Sequence, residues 1–343
     1  MSDTRILDVR DLRVTFDTMQ GSVQAVRGVS FHVDAGETIG IVGESGCVKS
    51  VTVKTALGLN SRSSGSVKGG QVLFEGKDIL DLDDRAIRDI LGNRMSMIFQ
   101  DPFTYLNPTM PVGRQITESY LRHHKATRKE AEEKALQILR LISLPNPEAT
   151  LRRYPHQLSG GMRQRIMIAM ALICSPAVLF ADEPTTALDV TIQAQIIDLM
   201  NDLKEKTGTS IVLITHDMGV VAKMADRIYV MYAGKIVEEG DADTIFHRPR
   251  HPYTFGLLDS VPRLDERTQD ELHSIPGMPP DLIAPPEGCP FARRCRYAMK
   301  ICERVAPPEI QMKEDGHVCS CWLCEEHCIQ RRGEVTREGG VRV

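Results

Sequence analysis

Gly36-Glu37-Thr38-Ile39-Gly40-Ile41-Val42-Gly43-Glu44-Ser45-Gly46-Cys47-Val48-Lys49-Ser50 reads as a short buried strand, a glycine turn, and the start of a helix running from Ser50 to about Leu59. A loop in that setting can hold phosphate. Its backbone N–H groups wrap the anion, and the helix N-terminus adds a favourable dipole. In the pattern G-x-x-x-x-G-K-[ST], the lysine reaches the β- and γ-phosphates and the hydroxyl ligates Mg²⁺. Lys49 and Ser50 occupy those positions.

The match has one defect. Val48 stands where the pattern has its last glycine. Glycine serves there because the backbone approaches phosphate closely and takes dihedrals closed to other residues. A β-branched residue is the poorest replacement at positive φ, with strain on the order of 1–3 kcal/mol. Alone, the stretch reads equally as a strand–turn–helix corner with no ligand.

Residues farther along decide between the two. Val178-Leu179-Phe180-Ala181-Asp182-Glu183 is an apolar strand ending in two carboxylates. Such a strand delivers its acids to the carboxyl edge of a sheet, where ligands bind. Asp182 is placed to hold Mg²⁺ through water, and Glu183 to polarise an attacking water. Leu158-Ser159-Gly160-Gly161-Met162-Arg163-Gln164-Arg165 precedes a helix, with Ser159 as its N-cap and two glycines leaving N–H groups open to an anion.

The Leu-Ser-Gly-Gly segment followed by an Arg-Gln-Arg helix resembles the signature motif of ABC ATPases. Other elements fall in the family's order. Gln100 in Phe99-Gln100-Asp101-Pro102 resembles the Q-loop, Ala187-Leu188-Asp189 the D-loop, His216 the switch histidine, and Phe16 the aromatic residue set against adenine. The resemblance covers roughly residues 5–255. It implies an α/β P-loop ABC ATPase fold, with a RecA-like core, an antiparallel β subdomain and a helical subdomain at about 101–175. It implies ATP and Mg²⁺ as ligands. Gly43, Ser45, Gly46, Cys47, Val48, Lys49, Ser50, Gln100, Asp182, Glu183 and His216 would serve the chain's own site, with Ser50, Gln100 and Asp182 near Mg²⁺. Ser159, Gly160, Gly161 and Asp189 belong to the head-to-tail dimer, in which each ATP lies between one subunit's P-loop and the other's signature. Val48 then leaves two alternatives: the loop tolerates valine, or the chain is impaired and mainly supports a partner's site.

The coarse organisation agrees with this fold. Residues 5–41 alternate apolar and polar positions as in an antiparallel layer. Residues 112–145 and 161–174 carry helical spacing. Ala177 to Phe180 and Ile211 to Ile214 are buried parallel strands flanking an amphipathic helix from Thr191 to Lys206. Ile228 to Glu239 is a hairpin turning near Ala233-Gly234. Proline and glycine then mark a linker or irregular segment from Pro249 to Pro290, and residues from about Arg331 are expected to be disordered. The domains read as an ATPase domain over 1–255, an extension over 256–330 and a tail over 331–343.

Net charge is −4 in 343 residues, with no basic bias of the kind nucleic acid favours. The most apolar run, Ile166 to Ala181, is interrupted by Ser175 and Pro176 and falls short of the roughly 20 residues of a membrane span. Met1 to Arg10 has no signal-peptide pattern. The expectation is a peripheral protein on the cytoplasmic face of a membrane.

Two features resemble the dipeptide/oligopeptide importer group: Arg248-Pro249-Arg250-His251-Pro252-Tyr253-Thr254, and the tail Gly288-Cys289-Pro290-Phe291-Ala292-Arg293-Arg294-Cys295. That resemblance implies a second, homologous ATPase subunit, two permease subunits and an extracytoplasmic binding protein. It leaves nickel or oligosaccharide cargo open beside peptides. Of nine cysteines, seven fall between Cys289 and Cys328. Cys289, Cys295, Cys302 and Cys319 could hold a 4Fe–4S cluster, the set the family implies, or Zn²⁺, or could pack as plain thiols. Cys321, Cys324, His327 and Cys328 add further candidate ligands.

Overall fold

The computed structural model describes residues 4–44, 46–59, 65–186, 189–260, 275–312 and 316–325. Ser45, Ala187, Leu188, His327, Cys328 and the 331–343 tail lie outside the described residues. The chain forms two compact units, one of Met1–Leu7, His32–Thr38 and Leu73–Ile214, the other of Asp8–Phe31, Ile39–Val72 and Thr215–Val343.

The first unit holds three parallel strands in the order Met95–Ile98, Val178–Asp182, Ser210–Thr215. The last two are buried at every position, which is why they read as unbroken apolar runs rather than as alternation. Val112–His123, Arg128–Leu141 and Gly160–Leu172 are helices packed on one another. The helical spacing over 112–145 is divided between two helices. The break is set by Thr127, whose hydroxyl accepts from Glu130 N while the Glu130 carboxylate accepts from Thr127 N at 2.6 Å, a reciprocal capping box.

The second unit carries the phosphate-loop strand. Ile39–Val42 runs parallel to Arg227–Tyr232, which turns back through Ala233 and Gly234 into Lys235–Asp241. Both turn residues have positive φ, 48° and 75°, as a two-residue hairpin turn requires. Strands over residues 8–31 and 66–72 form the antiparallel layer.

The segment read as a linker after Pro249 is not wholly irregular. Pro252–Asp259 is a helix, with proline in its first turn and His251 Nδ1 accepting from Tyr253 N at 3.1 Å. Farther on, the extension adds two short strands to the sheet edge, with Glu238 opposite Cys319 and Cys319 opposite Ile310. A buried polar latch fixes that edge. His317 Nε2 lies 2.7 Å from Glu238 Oε1 with both side chains fully buried, and Glu238 also accepts from the backbone N–H groups of Arg250 and His251. Phe255, Cys319, Cys321, Leu323 and Cys324 form a small core under it. No helix among the described residues is long and apolar enough to cross a membrane.

Candidate nucleotide site and cysteine-rich extension

The loop begins at Gly43 in close packing against its own unit. A side chain at Gly43 would place Cβ 2.3 Å from the carbonyl oxygen of Met231, so only glycine fits. Cys47 N donates to Glu44 O at 3.2 Å, closing a turn, and Cys47 is buried. Lys49 donates from Nζ to the carbonyls of Gly43 at 2.7 Å and Glu44 at 3.0 Å. Lys49 is 5% exposed, and its ammonium is therefore held over the loop's own backbone. Ser50 follows in the first turn of the helix Lys49–Ala56.

Val48 takes the conformation the glycine pattern demands. Its φ and ψ are 59° and 23°, left-handed, at the N-cap of that helix. The backbone thus adopts the loop geometry in spite of the β-branched side chain, and the cost predicted from sequence is present as strain.

In the first unit, the Q-loop and strand-end residues meet. Gln100 Nε2 donates to Glu183 Oε2 at 2.6 Å, and Thr186 Oγ1 donates to the same oxygen at 3.0 Å. Glu183 itself has φ 46°, with its N–H bonded to Ile214 O at 2.8 Å, so the turn after the strand is held in an uncommon conformation. Asp182 is 2% exposed at the carboxyl end of its strand. Ser159 caps the signature helix as expected, accepting from Met162 N at 3.3 Å. Gln164 Nε2 reaches Pro184 O at 2.6 Å in a buried bond, tying that helix to the loop carrying Glu183. Asp189 caps the helix Val190–Thr207 by accepting from Ile192 N at 2.9 Å.

The remaining nucleotide candidates lie in the second unit. His216 is exposed just past the strand Ser210–Thr215. Phe16 is half-buried, its ring lying where a side chain at Gly65 would meet it. Gly46 has φ 85°. Gly160 and Gly161, in the first unit, open the signature helix.

The cysteine set differs from the one expected. Cys289, Cys295 and Cys302 line one small cavity, but the fourth thiol there is Cys321, not Cys319. Cys319 does not line that cavity; it pairs in its strand with Glu238, and its electrostatic neighbours are Cys324, Glu238 and Cys321. Cys289 N donates to Cys302 O at 2.7 Å. Gly288 makes that approach possible, because a side chain there would stand 2.2 Å from the Cys302 carbonyl oxygen. Burial pushes the Cys289 thiol up to about 11 and Cys295 up to about 12, and raises Cys321 as well. The thiols are therefore protonated at neutral pH in the absence of a bound cation. Among the described residues, no group of three or more His, Cys, Asp or Glu side chains converges as a metal-ion set.

Tyr253 and Arg294 enter the sequence reading only as parts of the two importer-group motifs, with no role at the loop. Tyr253 Oη accepts from Glu44 N at 2.7 Å, and Arg294 forms a two-pronged ion pair with the Glu44 carboxylate at 2.6 and 2.8 Å. Their separations from Glu44, 209 and 250 residues, leave no local pattern to read.

Comparison with known proteins gives the family. Residues 26–186 match the ABC transporter family and residues 237–302 the oligopeptide/dipeptide transporter C-terminal region. The dipeptide transport ATP-binding protein DppD of Bacillus subtilis is 55% identical over 95% of this chain and 97% of its own length. The oligopeptide transport ATP-binding protein OppD of the same organism is 53% identical over 93% and 89%. Among solved structures, the dimeric ATP-binding cassette MJ0796 in a post-hydrolysis state with ADP and Pi is similar at a TM-score of 0.62. It shares 26% identity and covers 69% of this chain and 98% of its own. CbiO1 of Clostridium perfringens, part of the transporter complex CbiONQ, is similar at 0.61, with 26% identity over 72% and 92%. Family matches over 26–186 and 237–302, and relatives more than half identical aligned almost end to end, place this chain among the ABC transporter ATPases, in the group of dipeptide and oligopeptide transport ATP-binding proteins.

Proposed function

We propose that this chain is an ATP-hydrolysing subunit that drives import of di- or oligopeptides. The observation that carries the reading is Glu183 hydrogen-bonded to Gln100 at the end of an apolar strand, in a chain whose relatives named for peptide transport align over nearly its whole length. In this reading residues 1–255 are the ATPase domain, with the helical subdomain at about 101–175, and 256–330 form the extension. Backbone N–H groups of the 43–50 loop and Lys49 hold the phosphates. Ser50, Gln100 and Asp182 would hold Mg²⁺, which when bound would neutralise phosphate charge. Glu183 accepts a proton from the attacking water, His216 contacts the γ-phosphate, and Phe16 lies against the base. Ser159, Gly160, Gly161 and Asp189 complete the site of a second, homologous ATPase subunit. The pair sits on the cytoplasmic face beneath two permease subunits fed by an extracytoplasmic binding protein.

The test is uptake of labelled peptides by membrane vesicles carrying the full assembly. Peptide-stimulated ATP turnover and ATP-dependent uptake are the expected results. Stimulation by nickel complexes or oligosaccharides and not by peptides would overturn the cargo.

The extension reads further as the seat of a 4Fe–4S cluster, held by Cys289, Cys295, Cys302 and Cys321. Four thiols, two buried and two half-buried, spaced around one cavity suit a cluster better than one Zn²⁺, whose ligands converge at about 2.3 Å. When bound, such a cluster supplies a one-electron redox centre. After anaerobic purification, Cys321→Ser is expected to lose bound iron and acid-labile sulfide, whereas Cys319→Ser retains them. The opposite pattern would restore Cys319 as the ligand, and zinc in place of iron would remove the cluster.

A further inference from the structure

The extension reaches the loop at 43–50 through the Glu44 carboxylate. Glu44 is the second residue of the loop, and three of its groups are held. Its N–H donates to Tyr253 Oη, its carbonyl accepts from Lys49 Nζ, and its carboxylate takes both prongs of Arg294. Arg294 belongs to the extension and stands beside Cys295 in sequence. Its side chain is 4% exposed.

All five guanidinium N–H donors have acceptors. Nη1 serves Glu44 Oε2 and Tyr232 Oη, Nη2 serves Glu44 Oε1 and Ile275 O, and Nε serves Pro276 O. A cation so fully paired is rigid. Tyr232, Tyr253 and Phe291 pack ring against ring around it, with centroids 4.6 to 5.3 Å apart. The pair therefore holds the start of the loop, and with it the carbonyl that holds Lys49.

We propose that the C-terminal extension is a working part of the nucleotide site through Arg294, which acts on the phosphate loop through Glu44 as a positioning residue, together with Tyr253 of the ATPase domain. The proposal rests on the reading that residues 43–50 bind nucleotide. It explains why the carboxylate at position 44 faces away toward a buried arginine: paired there, it is neutralised rather than left as a negative charge at the mouth of an anion site. A lysine cannot replace Arg294, since it lacks the fork that takes two carboxylate oxygens together.

The experiment measures MgATP affinity and thermal midpoint on the full-length chain, in the parent and in the Val48→Gly background. Arg294→Met is expected to raise Kd by at least ~10-fold, in keeping with loss of a charge-assisted, two-pronged bond. Arg294→Lys is expected to recover only part of that. Arg294→Met alone leaves the Glu44 charge unpaired and can unfold the chain, so Arg294→Met with Glu44→Met is the decisive variant. An apolar pair of similar volume folds as well as the ion pair it replaces. A double variant with the parent's thermal midpoint and a still-raised Kd supports positioning. A double variant that regains both stability and affinity, or an Arg294→Met chain that binds like the parent, overturns it. Absence of MgATP binding in both backgrounds with Glu44 and Arg294 intact removes the nucleotide reading itself, and the positioning role with it.

Discussion

Glu183→Gln is expected to lower ATP turnover by roughly 10²- to 10⁴-fold, the span of a lost general base, and to leave MgATP binding intact. The two effects separate because the substitution is nearly isosteric. Gln100 Nε2 and Thr186 Oγ1 both donate to Glu183 Oε2, and a glutamine carbonyl can accept both in its place. The turn is also preserved, since its φ of 46° and its N–H bond to Ile214 O are backbone features. What disappears is the carboxylate that, in the proposed mechanism, takes a proton from water. Single-turnover hydrolysis beside equilibrium nucleotide binding reads the two separately. A fall of less than about tenfold would show that proton acceptance lies elsewhere. A loss of binding in step with turnover would show that Glu183 holds the site's shape instead.

Glu183 and its neighbours also mark how far local sequence chemistry reaches. Glu183 is legible in the sequence because Val178–Asp182 is an apolar run with both faces buried, so the acids ending it lie at the sheet's carboxyl edge. Ser159 is legible as a cap because capping is local chemistry, complete within three residues. The misread parts depend on distant neighbours. Cys319 and Cys321 differ by two positions, yet Cys321 lines the cavity while Cys319 pairs in a strand with Glu238, some eighty residues earlier in the chain. The helix Pro252–Asp259 is hidden in a proline-rich stretch, although proline belongs in a first helical turn. What makes that stretch a helix is burial of Tyr253, Phe255 and Leu257 against the rest of its unit, which no short window reveals. Arg294 reads in sequence only as part of the tail motif, and its pairing with Glu44 and Tyr232 is set by neighbours far away in the chain.

Val48→Gly is the second large effect, expected to tighten MgATP binding by at least ~10-fold and to raise fold stability by about 1 kcal/mol. The stability gain follows from the backbone. Valine at φ 59° and ψ 23° carries a steric cost that glycine does not, and glycine's extra freedom in the unfolded chain offsets only part of the relief. The affinity gain has a different origin. The helix entry is already made: Thr52 N and Thr52 Oγ1 both donate to Val48 O at 3.1 Å, and Lys49 is in place over the loop. A branched side chain beside that backbone keeps phosphate oxygens from the N–H groups that should wrap them, and its removal lets them approach. Equilibrium titration with MgATP and thermal denaturation measure the two gains independently. Greater stability with unchanged affinity would show that valine strains the loop without obstructing the ligand, and the chain would then stand as a full ATPase in its present form. Tighter binding with a matching rise in turnover would show that the unsubstituted chain serves mainly through its signature helix, completing the site of its partner.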